Sequence, residues 1–336
     1  MNRRQYLVRT GVAGASVGFL TGLAGCLDDL GGSGNTTDAT TDADDGDVDS
    51  RAGVRALDRA AGDLNTAALA LDELDDLEDP SAVEFDPSEP RARLADGRDH
   101  LETAAAELGD DRAADVDTLR SYADALEGLI TVTVTVTDEG LSEDVDTVTT
   151  ALETERGIEE ASTTVGDRHA DIAAAAERLA EADATIQGID ADRLDELADV
   201  PRTDLEEGAT ALDEVVTPLE TLAGAYDATL GDAGYGALDR GRDHLDEAAY
   251  EAARDEFETA ESTVSDAHHR LEDGTADAPD GLVGYFETAT CQTRHLTDAA
   301  AAFADAATAA ADRDPAASDH RSEAEAALDR VGDCSN

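Results

Sequence analysis

From Arg51 onward the apolar positions recur at intervals of three and four. Val54, Leu57, Ala61, Leu64, Ala68, Leu71 and Leu74 trace one face of a helix, with polar residues between them. Further on, Ile158, Val165, Ile172, Leu179 and Ile186 repeat every seven residues, a coiled-coil-like seam flanked by alanines. A third stripe runs through Leu205, Leu212, Leu219 and Tyr226. These patterns predict helices over roughly 51–78, 90–108, 112–137, 141–188, 191–230, 234–249, 251–272 and 281–331, the last with a break near Asp314-Pro315. Thr203-Asp204-Leu205-Glu206 fits a capping box, Asp314 followed by Pro315 fits an N-cap and first turn, Gly109 fits a C-terminal cap, and Gly332 fits a stop. Pro218 falls inside a periodic stretch and is expected to kink or split its helix.

One run conflicts with this scheme. Thr131 to Thr137 alternates threonine and valine with period two, a strand signal. No second strand-like run offers it a partner, and the spacing Leu119, Ala123, Leu126, Ile130, Thr133 carries a helical face into it. It is therefore expected to end a helix. The fold class that follows is all-α: an elongated multi-helix bundle or an irregular α-solenoid.

Composition narrows the chemistry. The 336 residues include 80 acids and 24 bases, all arginine, for a formal net charge of −56, with 3% aromatics and no tryptophan. A field of that sign repels polyanions, so no nucleic-acid partner is expected. Without lysine, Walker A loops, Schiff-base catalysis and protein-kinase chemistry are excluded. Carboxylates bind water and cations while concentrated salt screens their repulsion. The acid-rich, lysine-free composition resembles that of proteins from salt-in halophilic archaea.

The N-terminus has its own organisation. Arg3-Arg4, then Tyr6 and Leu7, precede a Gly/Ala-rich apolar stretch from Gly11 to Ala24, too short and glycine-rich for a convincing membrane span. This resembles a twin-arginine export signal, with Asn2 where Ser or Thr is usual and Val8 where Lys is frequent. Leu23-Ala24-Gly25-Cys26 follows directly and resembles a lipobox, which implies cleavage before Cys26 and lipid attachment to its sulfur. The resemblances divide the chain into a signal peptide (1–25), a lipidated cysteine with a disordered acidic tether (26–50), and a helical extracytoplasmic domain (51–334). The tether is almost free of apolar residues after Leu30 and would reach about 25 Å as a random coil of about twenty residues. Asn35-Thr36-Thr37 on it is an N-glycosylation sequon.

Two further features belong to the helical part. Gly97-Arg98-Asp99-His100-Leu101 recurs as Gly241-Arg242-Asp243-His244-Leu245, an identity that duplication or biased composition would each produce. Around the second copy, Gly241, Tyr250, Ala253, Phe257 and Ala260 have the spacing of the small and aromatic positions of a tetratricopeptide repeat. The resemblance covers about 234–270 and implies a hairpin of two helices, serving either as a partner-binding groove or as plain helix packing. Glu247-Ala248-Ala249 stands where a Gly- or Asn-containing turn is usual, and Ser265 stands at the terminal proline position.

Candidate chemistry is sparse. Besides Cys26, Cys291 and Cys334 are the remaining cysteines, and an exported chain favours a disulfide between them over two free thiols. The seven histidines are scattered, and none has Glu three residues before it, as a di-iron bundle requires; solvent-facing histidines are the expectation, and no metal site is assigned. His244 to Glu247 resembles part of the motif of imelysin-like helical proteins involved in iron uptake, with its glycine displaced by one position. Gly14 to Gly18 matches a nucleophile-elbow pattern but lies inside the export signal. Neither a catalytic constellation nor a cofactor site is expected. The reading is a lipid-anchored helical scaffold that binds another protein, with a metal- or solute-capturing lipoprotein beside a transporter as the alternative and a secreted hydrolase third.

Overall fold

The computed structural model describes residues 45–335 apart from 73–76, 78, 139 and 155. Among them the chain is all-α, with eleven α-helices and no strand. They are α1 (Asp45–Asp72), α2 (Ser88–Leu108), α3 (Ala113–Val136), α4 (Gly140–Thr154), α5 (Ile158–Gly188), α6 (Ala191–Leu197), α7 (Arg202–Leu230), α8 (Tyr235–Asp246), α9 (Tyr250–Thr275), α10 (Asp280–Asp312) and α11 (Ala317–Val331). Short 3₁₀ turns occupy Pro80–Ala82, Asp110–Arg112 and Gly332–Ser335.

The periodic stripes become the core. Leu57, Ala61, Leu64 and Ala68 of α1 are buried, as are Val165, Ile172, Leu179 and Ile186 of α5 and Leu205, Leu212, Leu219 and Tyr226 of α7. Leu74 lies outside the described residues. Contacts run from α1 to α2 and α3, from α3 to α5, from α5 to α7, from α7 to α9, and on through α10 to α11. Small residues set the spacing: a Cβ on Gly128 of α3 would stand 2.8 Å from the Ala182 methyl of α5. The C-terminal 3₁₀ turn and α11 also touch α4, far back in the chain. A solenoid, whose units meet only their neighbours, lacks such a return, so the arrangement is a bundle.

Several boundaries differ from the sequence expectation. Helix α1 begins at Asp45, inside the stretch assigned to the tether. The helix expected over 141–188 is two, because Gly157 at φ 73° turns the chain between α4 and α5. That over 191–230 is also two: Pro201 precedes α7, and the residue before a proline is pushed out of helical geometry. Thr203 caps nothing, since α7 starts one residue earlier with Pro201 at its N-cap and no side-chain cap bond. Asp314 makes a turn to the Ala316 amide (3.0 Å) and α11 opens only at Ala317. Pro218 does not split α7; Glu214, whose carbonyl loses its helical partner there, lies on the exposed face.

The Thr-Val run is helical to Val136, as the helical spacing predicts. Each threonine returns its hydroxyl to its own helix: Thr131 to the Glu127 carbonyl (2.8 Å), Thr133 to Leu129 (2.9 Å), Thr135 to Thr131 (3.3 Å) and Thr137 to Thr133 (2.8 Å). Val132 and Val136 meanwhile fill the core. The hydroxyls are satisfied without leaving the helix, so β-branched residues can be buried here at little polar cost.

Candidate functional site

The hairpin foreseen around 234–270 is present as α8 and α9, joined through Glu247-Ala248-Ala249. Ala248 takes the left-handed conformation (φ 59°). The Ala249 amide donates to the His244 carbonyl (2.8 Å) and the Ala248 amide to Leu245 (3.2 Å), the paired bonds of a Schellman ending. The chain thus makes with alanine a turn usually made with glycine. Gly241 packs closely against the Phe257 ring, and Phe257 in turn stacks on Phe303 of α10 with centroids 5.1 Å apart.

This placement decides what the hairpin residues can do. Gly241, Ala253, Phe257 and Ala260 are all buried, and Tyr250 alone of the five is partly exposed. The inner groove is filled by the chain itself, so these four positions pack helices together and cannot be touched by a partner. Any contact surface on this hairpin must come from its outer face and from Tyr250. The repeated pentapeptide also parts company here. Gly97 of α2 packs on Leu64 of the preceding helix α1, whereas Gly241 packs on Phe257 of the following helix.

The histidines do not gather. His268 is held by the Thr290 carbonyl (3.1 Å) and the Thr293 hydroxyl (3.2 Å) of α10, while its neighbour His269 is largely exposed beside Glu272 (3.4 Å). His169 stands 3.3 Å from Asp227. The Tyr226 hydroxyl donates to the Gln292 side-chain oxygen across α7 and α10 (3.0 Å), and Thr293 is buried alongside. Burial raises the Tyr226 phenol above its ordinary range, and it does the same to Tyr122 with help from the Asp199 charge. Near this layer, Val148, Val165, Leu219 and Tyr226 line a small, largely apolar crevice with a volume of about 30 Å³, edged by Arg168 and Asp144, which pair at 2.7 Å. At the other end, Asp115 is buried between the guanidinium groups of Arg112 and Arg193, tying α3 to α6.

Cys291 and Cys334 are joined, S–S 2.09 Å with Cα atoms 5.7 Å apart, and staple the C-terminal 3₁₀ turn to the middle of α10. His295, one helical turn after Cys291, completes a group that sequence reasoning missed. One ligand atom from each of the three residues lies within 4.8 Å of the others. Its signal in the sequence is the spacing Cys291-x-x-x-His295, which puts both side chains on one helix face. The His295 side chain is only 15% exposed, and its Nδ1 is buried without a hydrogen-bond partner, 3.8 Å from Asp298. Burial, together with the nearby charges of Arg294 and Arg330, lowers the tendency of this imidazole to protonate. The Arg294 guanidinium reaches to 3.8 Å from the Cys291 sulfur.

Arg3, Arg4, Tyr6, Leu7, Cys26 and Asn35 lie outside the described residues. No described helix is long and apolar enough to cross a membrane. In comparisons with protein-family models, curated proteins and solved structures, the chain matches none.

Proposed function

We propose that this chain is a lipoprotein anchored by lipid to the outer face of the cell membrane, exported through a twin-arginine signal. On this reading its helical body acts as a scaffold that binds another protein. The observation that carries the reading is an order of features: Arg3-Arg4, an apolar stretch, Leu23-Ala24-Gly25-Cys26, a polar acidic segment and then a helical bundle. Each has a separate physical role in that scheme, from recognition and cleavage through lipid attachment and reach to a folded surface. A single acyl chain binds a membrane only marginally, so stable anchoring at Cys26 requires more than one chain. The partner would meet the outer face of α8 and α9 near Tyr250, since the inner face is closed.

The acid excess serves as solvation in brine, borne by the outward faces of the helices. Cross-helix arginine pairs, such as Arg98 with Asp124 (2.8 Å) and Glu127 (2.6 Å), interrupt the repulsion locally. Helicity is expected to fall when salt is dialysed away; circular dichroism unchanged in dilute buffer would contradict this part of the reading.

The test of the whole is direct. Native protein should partition with membranes and carry lipid mass on Cys26, and the Cys26→Ser variant should do neither. A photo-crosslinking residue at position 250, with the chain in multimolar salt, should capture one protein partner, while one placed on the far face of α5 should not. An unlipidated Cys26, or equal capture from both faces, would overturn the proposal.

A further inference from the structure

We propose that Cys291, His295 and Cys334 form a redox-gated site for a thiophilic metal ion of the zinc class, closed while the sulfurs are bonded and opened by their reduction. This lies beyond the scaffold reading and does not depend on it.

Three observations converge. A ring nitrogen of His295 and the two sulfurs fall within 4.8 Å of one another. Two elements of different kinds supply them, so the set does not arise from one helix face alone: Cys291 and His295 from α10, Cys334 from the terminal 3₁₀ turn. The imidazole is also mostly buried, and its Nδ1, 3.8 Å from the Asp298 carboxylate, makes no hydrogen bond, although a buried polar atom ordinarily finds one. Two thiolates and one imidazole are the ligand types that zinc prefers, with water left to complete four-coordination.

The geometry permits opening without refolding. Zinc–sulfur bonds of about 2.3 Å hold two sulfurs about 3.8 Å apart, within reach of side-chain rotation from Cα atoms 5.7 Å apart. The guanidinium of Arg294, 3.8 Å from the Cys291 sulfur, favours the thiolate that the ion requires. The chemistry balances with an external dithiol as reductant. Two electrons from the dithiol break the S–S bond, each protein sulfur takes a proton, and the dithiol closes to its own cyclic disulfide. The incoming divalent ion then displaces both thiol protons to solvent, and two thiolates neutralise its charge.

The test uses the full chain in concentrated salt, where non-specific binding to carboxylates is screened. The protein is reduced with excess dithiothreitol, desalted without oxygen, and titrated first with cobalt(II) and then with zinc(II) against a chromophoric chelator. Reduced wild-type protein should take up one equivalent and show the thiolate-to-cobalt charge-transfer band. The oxidised protein should show none. His295→Ala should weaken binding by roughly tenfold or more while still forming the disulfide in air. The proposal is overturned if reduced wild type binds no more metal than Cys291→Ser, or if His295→Ala binds as tightly as wild type. Loss of helicity on reduction overturns it equally, because the ligands would no longer be gathered.

Discussion

A Cβ placed on Gly241 would come within 2.5 Å of Cε1 of Phe257. The absence of a side chain at 241 is therefore what lets the aromatic ring lie between α8 and α9, and the two residues are coupled. Alanine at 241 would gain about 1 kcal/mol of helix preference, against about 1–3 kcal/mol for forcing a methyl into a filled core. Gly241→Ala is expected to lose stability on balance. Phe257→Leu should cost stability alone but make the Gly241→Ala change nearly harmless, a clear departure from additivity. Chemical unfolding of the four variants in concentrated salt measures it; additive losses would sink the claim.

Ala248 holds a left-handed backbone that costs a non-glycine residue about 1–2 kcal/mol. Ala248→Gly is expected to recover part of this, raising stability by about 0.5–1 kcal/mol after the greater chain entropy of glycine is deducted. An unchanged or lower midpoint of unfolding would show that the turn is not strained.

Reducing the Cys291–Cys334 bridge removes a cross-link between positions 43 residues apart. By chain entropy it contributes about 3–4 kcal/mol. The reduced chain should remain helical at ambient temperature but unfold at a lower midpoint, and Cys334→Ser should match it. A reduced chain as stable as the oxidised one would contradict the staple's role.

Tyr226 and Tyr122 are held protonated above the range of an exposed phenol, in both cases chiefly by burial. Because the folded-state value is raised, the stability linked to these groups is fully present below about pH 10, the ordinary tyrosine value, and is lost as pH rises beyond it. Tyrosinate absorbance should therefore appear in two steps, exposed rings first and these two only with alkaline unfolding. Tyr226→Phe should remove part of the alkaline loss. A single smooth titration without unfolding would rule the linkage out.

Much of the architecture was legible because apolar spacing reports directly on helix faces. The stripes through Leu57, Ile172 and Leu212 are buried as read, and Thr133 sits in a helix as its spacing required. What the spacing could not show was where a long helix is interrupted: the breaks at Gly157 and Pro201 are backbone events within otherwise continuous periodicity. The hairpin residues were legible as a packing motif. Their inaccessibility was not, because it depends on Phe303, which lies 46 residues beyond Phe257 in the chain and reaches it only through the tertiary fold. His295 was overlooked for the same reason, since Cys334 meets it only after the C-terminal turn closes onto α10.

Many threonines of these helices, Thr133, Thr229 and Thr293 among them, spend their hydroxyls on their own helix's carbonyls, and part of the neighbouring core is alanine methyls. A surface made of such groups is indifferent to axial position, because a helix sliding by one turn meets another methyl much like the last. The bond between Tyr226 and Gln292, with His268 on Thr293 beside it, is directional and has no equivalent one turn away. It works as a dowel between planks. The hydrophobic core supplies the adhesion, while a few buried polar atoms set the longitudinal alignment of α7, α9 and α10.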